Sequence, residues 1–290
     1  MIYLLLLLQQ LISSSTHLIA KNVTGVLHPT TVVLLRGCFT CAAFGLWCVL
    51  RRRRLPVVER KDLPLLLLLG LINMPINQLL FIWGVRYTTA PNASLAYALT
   101  PAFVVVFLLL AGKERAGWKR YLGVAIAFAG AAIVLADRGA ALDSTQLLGN
   151  IIVLAASMSW AAFTVLGRTM IAKYGPVYTT ALTFFFGLAL YVPLWAVLPV
   201  HDTASALTNS SWSFTWLQLF YLGVITSGVG YALWYYALAK LDSSRVAVFN
   251  NLQPVITSIL ALMIFGTEPT PLFVAGGIVA LSGVVLTQRG

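Results

Sequence analysis

Residues 70–81 read GLINMPINQLLF. Asn73, Asn77 and Gln78 bring amide donors and acceptors into an apolar run from Leu63 to Val85, and Pro75 withholds a backbone N–H there. Amides at that depth can hydrogen-bond a polar solute or a neighbouring helix, but they do not serve as acids, bases or nucleophiles. A second polar patch, TSGVGY at 226–231, puts Ser227, Gly228, Gly230 and Tyr231 into another apolar run. Further candidates are Ser13 and His17 in the first run, Tyr97 ahead of Pro101, and Trp160 with Ser157 and Thr164 near it. Trp234 follows the second patch, and Asn250 and Gln253 stand beside Pro254. Together they suit a cavity with aromatic walls that takes a solute with an apolar part and a small polar handle. Each has a packing role open to it as well, because Asn, Ser and Thr also join membrane helices to one another.

The chemistry that is missing narrows the class. There is no HExxH, no GxS nucleophile turn and no pair of acidic residues in any apolar run, so an intramembrane enzyme is disfavoured. Rings of charge or a filter loop, the marks of a channel, are also missing. All the carboxylates, Glu59, Asp62, Glu114, Asp137, Asp143, Asp202, Asp242 and Glu268, fall in loops or at the ends of apolar runs. Cys38, Cys41 and Cys48 share one apolar run and read as small packing residues rather than a redox or metal site. No cofactor or metal is expected.

The elements that must hold these groups are long and apolar. Of 290 residues, 60% are hydrophobic and 9% charged, far from the balance of a soluble domain. The apolar residues form ten blocks of about 20, each long enough to span a bilayer: 2–20, 29–50, 63–85, 90–111, 117–136, 149–171, 177–199, 215–238, 245–265 and 271–287. The first block lacks a basic leader and contains Gln9, Gln10, Ser13–Ser15, Thr16 and His17, so it reads as a retained helix. With the N-terminus in the cytoplasm, only Lys21, Arg86 and Arg138 face outward and Arg36 lies within a span. Every other Lys and Arg is cytoplasmic. The net charge of +11 is therefore a topology signal with some scope for anionic lipid, and nucleic acid is not an expected partner.

The chain repeats at an offset of 153. Gly70 falls on Gly223, Pro101 on Pro254, Gly123 on Gly276 and Gly130 on Gly283; LTP at 99–101 meets LQP at 252–254. Five spans per half turn the second half over. Loop charge agrees, since the basic loop 51–62 corresponds to 201–213, and 112–120 to 266–271, both without Lys or Arg. The expected fold is an all-α integral membrane protein of ten transmembrane helices, built from two five-helix inverted repeats, 1–139 and 148–290, N-in and C-in. Interrupted helices at matched places in inverted repeats mark transporter sites. Pro75, Pro101, Gly228, Gly230 and Pro254 are the candidate breaks. Gly spacing between Gly123 and Gly130 implies tight helix packing, either within one chain or between copies, so monomer and homodimer both stay open.

ASLAYALTPAFVVVFLLLAGKE (93–114) and its echo VAVFNNLQPVITSILALMIFGTEP (246–269), each followed by a glycine-spaced final span, resemble the EamA-type ten-helix members of the drug/metabolite transporter superfamily. Arg36, inside its span, could bind an anionic group, reach outward to the membrane surface or tie spans together; HPTTVVLLRG (28–37) resembles the family's second-span opening, with Arg36 at a commonly occupied position, which favours the structural role. The resemblance implies transport of small organic solutes, typically export of amino acids or other metabolites, through a cavity lined mainly by spans 1, 3, 4, 6, 8 and 9. Nucleosides, nucleobases and drugs are the alternative cargo. With no mid-membrane carboxylate, His17 is the one candidate for a coupling proton, against a neutral interhelical role. Short loops and the absence of extra domains fit a bacterial inner membrane.

Overall fold

The structure, a computed structural model, describes residues 2–51, 55–111, 117–136, 144–198, 212–266 and 268–289. Four carboxylates (Glu114, Asp137, Asp143 and Asp202) and six basic residues (Arg52, Arg53, Arg54, Lys113, Arg115 and Arg138) lie outside it. All regular structure among the described residues is helical. Among the described residues eight helices are long and apolar enough to cross a membrane, and two shorter apolar ones lie at Tyr121–Gly130 and Pro271–Thr287.

Helices α1 (Ile2–Val23) and α2 (Pro29–Arg51) are continuous. The next apolar run is not. Helix α3 (Leu63–Leu71) passes into a π-helical segment, Ile72–Gln78, before α4 (Leu79–Tyr87). Pro75 sits inside that segment. Its ring crowds the preceding turn and it has no N–H to donate, so the backbone widens by a residue instead of keeping the α-helical ladder. Helices α5 (Ala90–Ala98) and α6 (Thr100–Leu110) then meet at Leu99, with Pro101 in the first turn of α6.

Helices α7 (Trp118–Ala136), α8 (Ser144–Tyr174) and α9 (Pro176–Val197) are unbroken. A second π-helical segment, Tyr221–Gly230, separates α10 (Trp212–Phe220) from α11 (Tyr231–Leu238). It has no proline. Its glycines keep right-handed backbone, and Gly223 lies against α2, where Thr40 Oγ1 donates to the Gly223 carbonyl at 2.8 Å. A carbonyl loosened by the wider turn is thereby satisfied from a neighbouring helix. Finally α12 (Ser243–Ala247) leads through a 3-10 turn, Val248–Leu252, into α13 (Gln253–Phe265), with Pro254 in its first turn; α14 (Pro271–Arg289) follows.

The main core runs through α1–α4, α8, α9 and α11. Helices α7 and α14 pack on each other and join the rest mainly through α5 and α6. Their seam is made of small residues. A Cβ added at Gly130 would stand 2.6 Å from the Gly276 carbonyl, and one at Gly123 2.7 Å from the Gly283 carbonyl. The glycine spacing is thus used between two helices of one chain.

Ion pairs fasten the ends. Lys173 reaches Glu59 at 2.7 Å and Asp62 at 2.5 Å, tying the α2–α3 connection to α8, and Arg168 pairs with Asp242 at 2.8 Å. Hydrogen bonds from Lys173 and then Lys61 hold the Glu59 carboxyl below the usual carboxylate range. Pairs as exposed as these add little stability.

Gly130→Val should lower the melting temperature in detergent by several degrees, the consequence of an overpacked seam. Gly45→Val, where an added Cβ meets nothing within 4 Å, should leave it unchanged.

Candidate functional site

The first π-helical segment reaches the residue that directly follows the second. Asn77 comes from the first and Tyr231 follows directly on the second, and the Tyr231 hydroxyl donates to Asn77 Oδ1 at 3.3 Å. The Asn77 amide nitrogen donates to the Ala156 carbonyl at 2.7 Å, with the Tyr97 hydroxyl at 3.1 Å and Ser159 Oγ at 3.2 Å. One side chain thus joins the first interruption to α5, α8 and α11.

A cavity of about 490 Å³, counting the space open at its mouth, lies beside this junction. Helix α1 lines it with Gln9, Ser13, Thr16 and His17, residues spaced to share one helical face. Asn77 and Phe81 face it from the third apolar run, Tyr97 from α5, and Trp160 from α8. Thr226 and Tyr231 close another side, with Gln253 from α13 and Arg36 from α2. The aromatic residues stand in two pairs. Trp160 meets Tyr231 edge-on with ring centroids 4.7 Å apart, and Phe81 meets Tyr97 at 5.6 Å.

Of the sequence candidates, Ser13, His17, Asn77, Tyr97, Trp160, Tyr231 and Gln253 all line this cavity. The others are buried around it. Ser157 Oγ lies 3.1 Å from Thr100 Oγ1, and Trp234 Nε1 donates to Thr164 Oγ1 at 3.0 Å, joining α8 to its neighbours. Gln78 Nε2 lies 3.5 Å from Asn73 Oδ1, a long contact within one turn. Asn250 Oδ1 accepts from Gln253 Nε2 at 3.1 Å and from Gln10 Nε2 at 3.3 Å. Ser227 accepts from Arg36 Nε at 2.6 Å.

His17 joins both roles. Gln253 gives its amide N–H groups to Gln10 Oε1, at 2.9 Å, and to Asn250. Its own Oε1 therefore faces His17 Nε2 at 2.9 Å as an acceptor. That fixes Nε2 as the protonated, donating nitrogen, with the ring held between α1 and α13 while it faces the cavity.

Five lining residues escaped the sequence candidates: Gln9, Thr16, Arg36, Phe81 and Thr226. Gln9 and Phe81 were within reach, each being one helical turn from a chosen residue (Ser13 and Asn77). Thr226 neighbours Ser227. Arg36 is 2% exposed and faces inward rather than reaching for the membrane surface. A lone cation in an apolar run was signal enough.

The sequence matches the profile of the EamA-like transporter family over residues 1–136 and 147–289. The chain belongs to the EamA-like transporter family. This member is therefore a transporter rather than an enzyme, an integral membrane protein that handles a small-molecule solute within lipid. It is 29% identical to a probable terminal-alkyne amino-acid exporter of Streptantibioticus cattleyicolor, over 79% of this chain and 74% of that protein. It is 31% identical to an uncharacterized transporter of Archaeoglobus fulgidus, over 70% of this chain and 68% of that one. With the uncharacterized transporter YyaM of Bacillus subtilis the match spans 100% of this chain and 93% of the relative, at 26% identity. A crystal structure matches the fold with a TM-score of 0.69 over 98% of this chain and 94% of the other, at 18% identity.

Two substitutions separate cavity from scaffold in this family member. Trp234→Phe removes the bond to Thr164 behind the cavity residue Trp160, and should lower the melting temperature while reducing solute exchange in proteoliposomes less than a substitution in the cavity lining does. Asn77→Ala strands the Tyr231 hydroxyl beside the cavity, at a cost of about 1–3 kcal/mol, and should reduce both stability and exchange.

Proposed function

We propose that the chain is an alternating-access carrier that exports small uncharged or zwitterionic metabolites, amino acids foremost, across a bacterial inner membrane. Its halves, 1–139 and 148–290, act as two five-span repeats of opposite orientation, with both termini in the cytoplasm. The observation that carries this reading is the meeting of the two interrupted spans at one cavity. Ile72–Gln78 and Tyr221–Gly230 overlap at the 153-residue offset, and their polar residues face the same space. The break at Leu99 and the 3-10 turn ending at Leu252 keep the same offset. Broken helices paired in this way are how transporters of inverted repeats build a midplane site.

Pro75, Pro101, Gly228, Gly230 and Pro254 mark the backbone that deforms as the halves rock about the cavity. Ser13, His17, Asn77, Tyr97, Trp160, Tyr231 and Gln253 contact the solute. Asn73, Gln78, Ser157, Thr164, Ser227, Trp234 and Asn250 hold those residues in position. The amino-acid exporter among the relatives supports this cargo over nucleosides and drugs. The glycine seam of α7 and α14, satisfied inside one chain, supports a monomer. His17 is the group for any coupling proton, since no carboxylate lines the cavity among the described residues.

Counterflow in proteoliposomes tests the proposal. Vesicles loaded with an unlabelled amino acid should accumulate the labelled one saturably, with stimulation from the trans side. Solute passage that neither saturates nor responds to trans solute would replace the carrier with a channel.

A further inference from the structure

Among the described residues Arg36 is the only Lys, Arg, Asp or Glu that is buried. Its Nε donates to Ser227 Oγ at 2.6 Å, its Nη1 has no hydrogen-bond partner, and the side chain lines the cavity. Among the described residues no carboxylate lines the cavity to answer its charge. Glu59, Asp62, Asp242 and Glu268 stand at helix ends or in connections, and the first three are paired with surface lysines or arginines. A cation held away from water without a counter-charge costs several kcal/mol. Tying α2 to the second π-helical segment does not call for one, since a single neutral donor would satisfy Ser227. A guanidinium brings five N–H groups in a planar fork and a permanent charge, far more than that bond uses.

We propose that Arg36 is the carboxylate receptor of the transport site, and that the carrier favours monocarboxylates with an aromatic body, α-amino acids included. This rests on reading the cavity as the solute site. The solute supplies the negative charge that the protein withholds, through the charge-assisted bonds that guanidinium makes with carboxylate. Phe81, Tyr97, Trp160 and Tyr231 cover the apolar body, and their ring faces attract an ammonium group where the solute has one. The charge count sets the selectivity. A single carboxylate balances Arg36, a phosphate monoester overshoots it, and an uncharged or cationic solute leaves the guanidinium unanswered, so the cargo proposed above narrows to its carboxylate-bearing members.

The test uses matched probes on the purified full chain in lipid nanodiscs, with binding read from tryptophan fluorescence. The pairs are 3-phenylpropanoate with 3-phenylpropanamide, and L-phenylalanine with L-phenylalaninamide. Each carboxylate should bind about tenfold more tightly than its amide or more. The preference should vanish in Arg36→Gln and survive in part in Arg36→Lys. Equal binding within the pairs, absence of carboxylate binding at millimolar concentration, or a preference that persists in Arg36→Gln would overturn the assignment. If Arg36→Gln does not fold, the wild-type pairs alone decide. The carrier reading fails separately: carboxylate binding without trans-stimulated exchange sinks it and leaves Arg36 assigned, whereas exchange that treats acid and amide alike does the reverse.

Discussion

Hydrocarbon offers no partner to a stranded N–H or C=O, so backbone that leaves the α-helix inside a membrane must be satisfied by the protein itself or by whatever fills a cavity. That constraint governs where this fold is irregular. Among the described residues, the π-helical segments and the 3-10 turn inside apolar runs lie next to one cavity or next to side chains that reach across to them. Thr40 bonds the Gly223 carbonyl, and Asn77, standing in the other wide segment, bonds the Ala156 carbonyl of α8. The continuous helices α7, α9 and α14 stay out of the cavity lining.

The polar residues divide along the same line. A buried amide or hydroxyl gains from a partner, and several away from the cavity have one in a neighbouring helix, as Trp234 has in Thr164 and Ser157 in Thr100. Those at the cavity are bonded on one side and open on the other. Gln253 gives both amide hydrogens to Gln10 and Asn250 yet still lines the cavity, and His17 is fixed by Gln253 while its Nδ1 has no partner. Positions held by the scaffold with a spare donor or acceptor lose little further freedom when a solute binds, which favours affinity without added flexibility.

Charge follows a different rule. The carboxylates of the described residues all stay at helix ends, where water or a lysine compensates them, and a single arginine is admitted to the interior. Among the described residues the interior therefore holds charge of one sign.

The sequence alone determined the membrane class, the ten apolar runs and the depth of the interruptions, because these depend on local properties: run length against bilayer thickness, the missing N–H of proline and the placement of Lys and Arg. The kinship of the chain was legible for the same reason, being written in contiguous motifs. It also put seven cavity residues on the candidate roll. What it did not decide was which polar side chains face the cavity and which face a neighbour. Asn73 and Asn77 are alike in type and depth, yet only Asn77 lines the space, because facing depends on how a widened turn rotates one helix against three others. The partner of the glycine seam and the inward direction of Arg36 were hidden for the same physical reason. Both depend on contacts between segments far apart in the chain, Gly130 with Gly276 and Arg36 with Ser227, and only the packed tertiary structure brings those together.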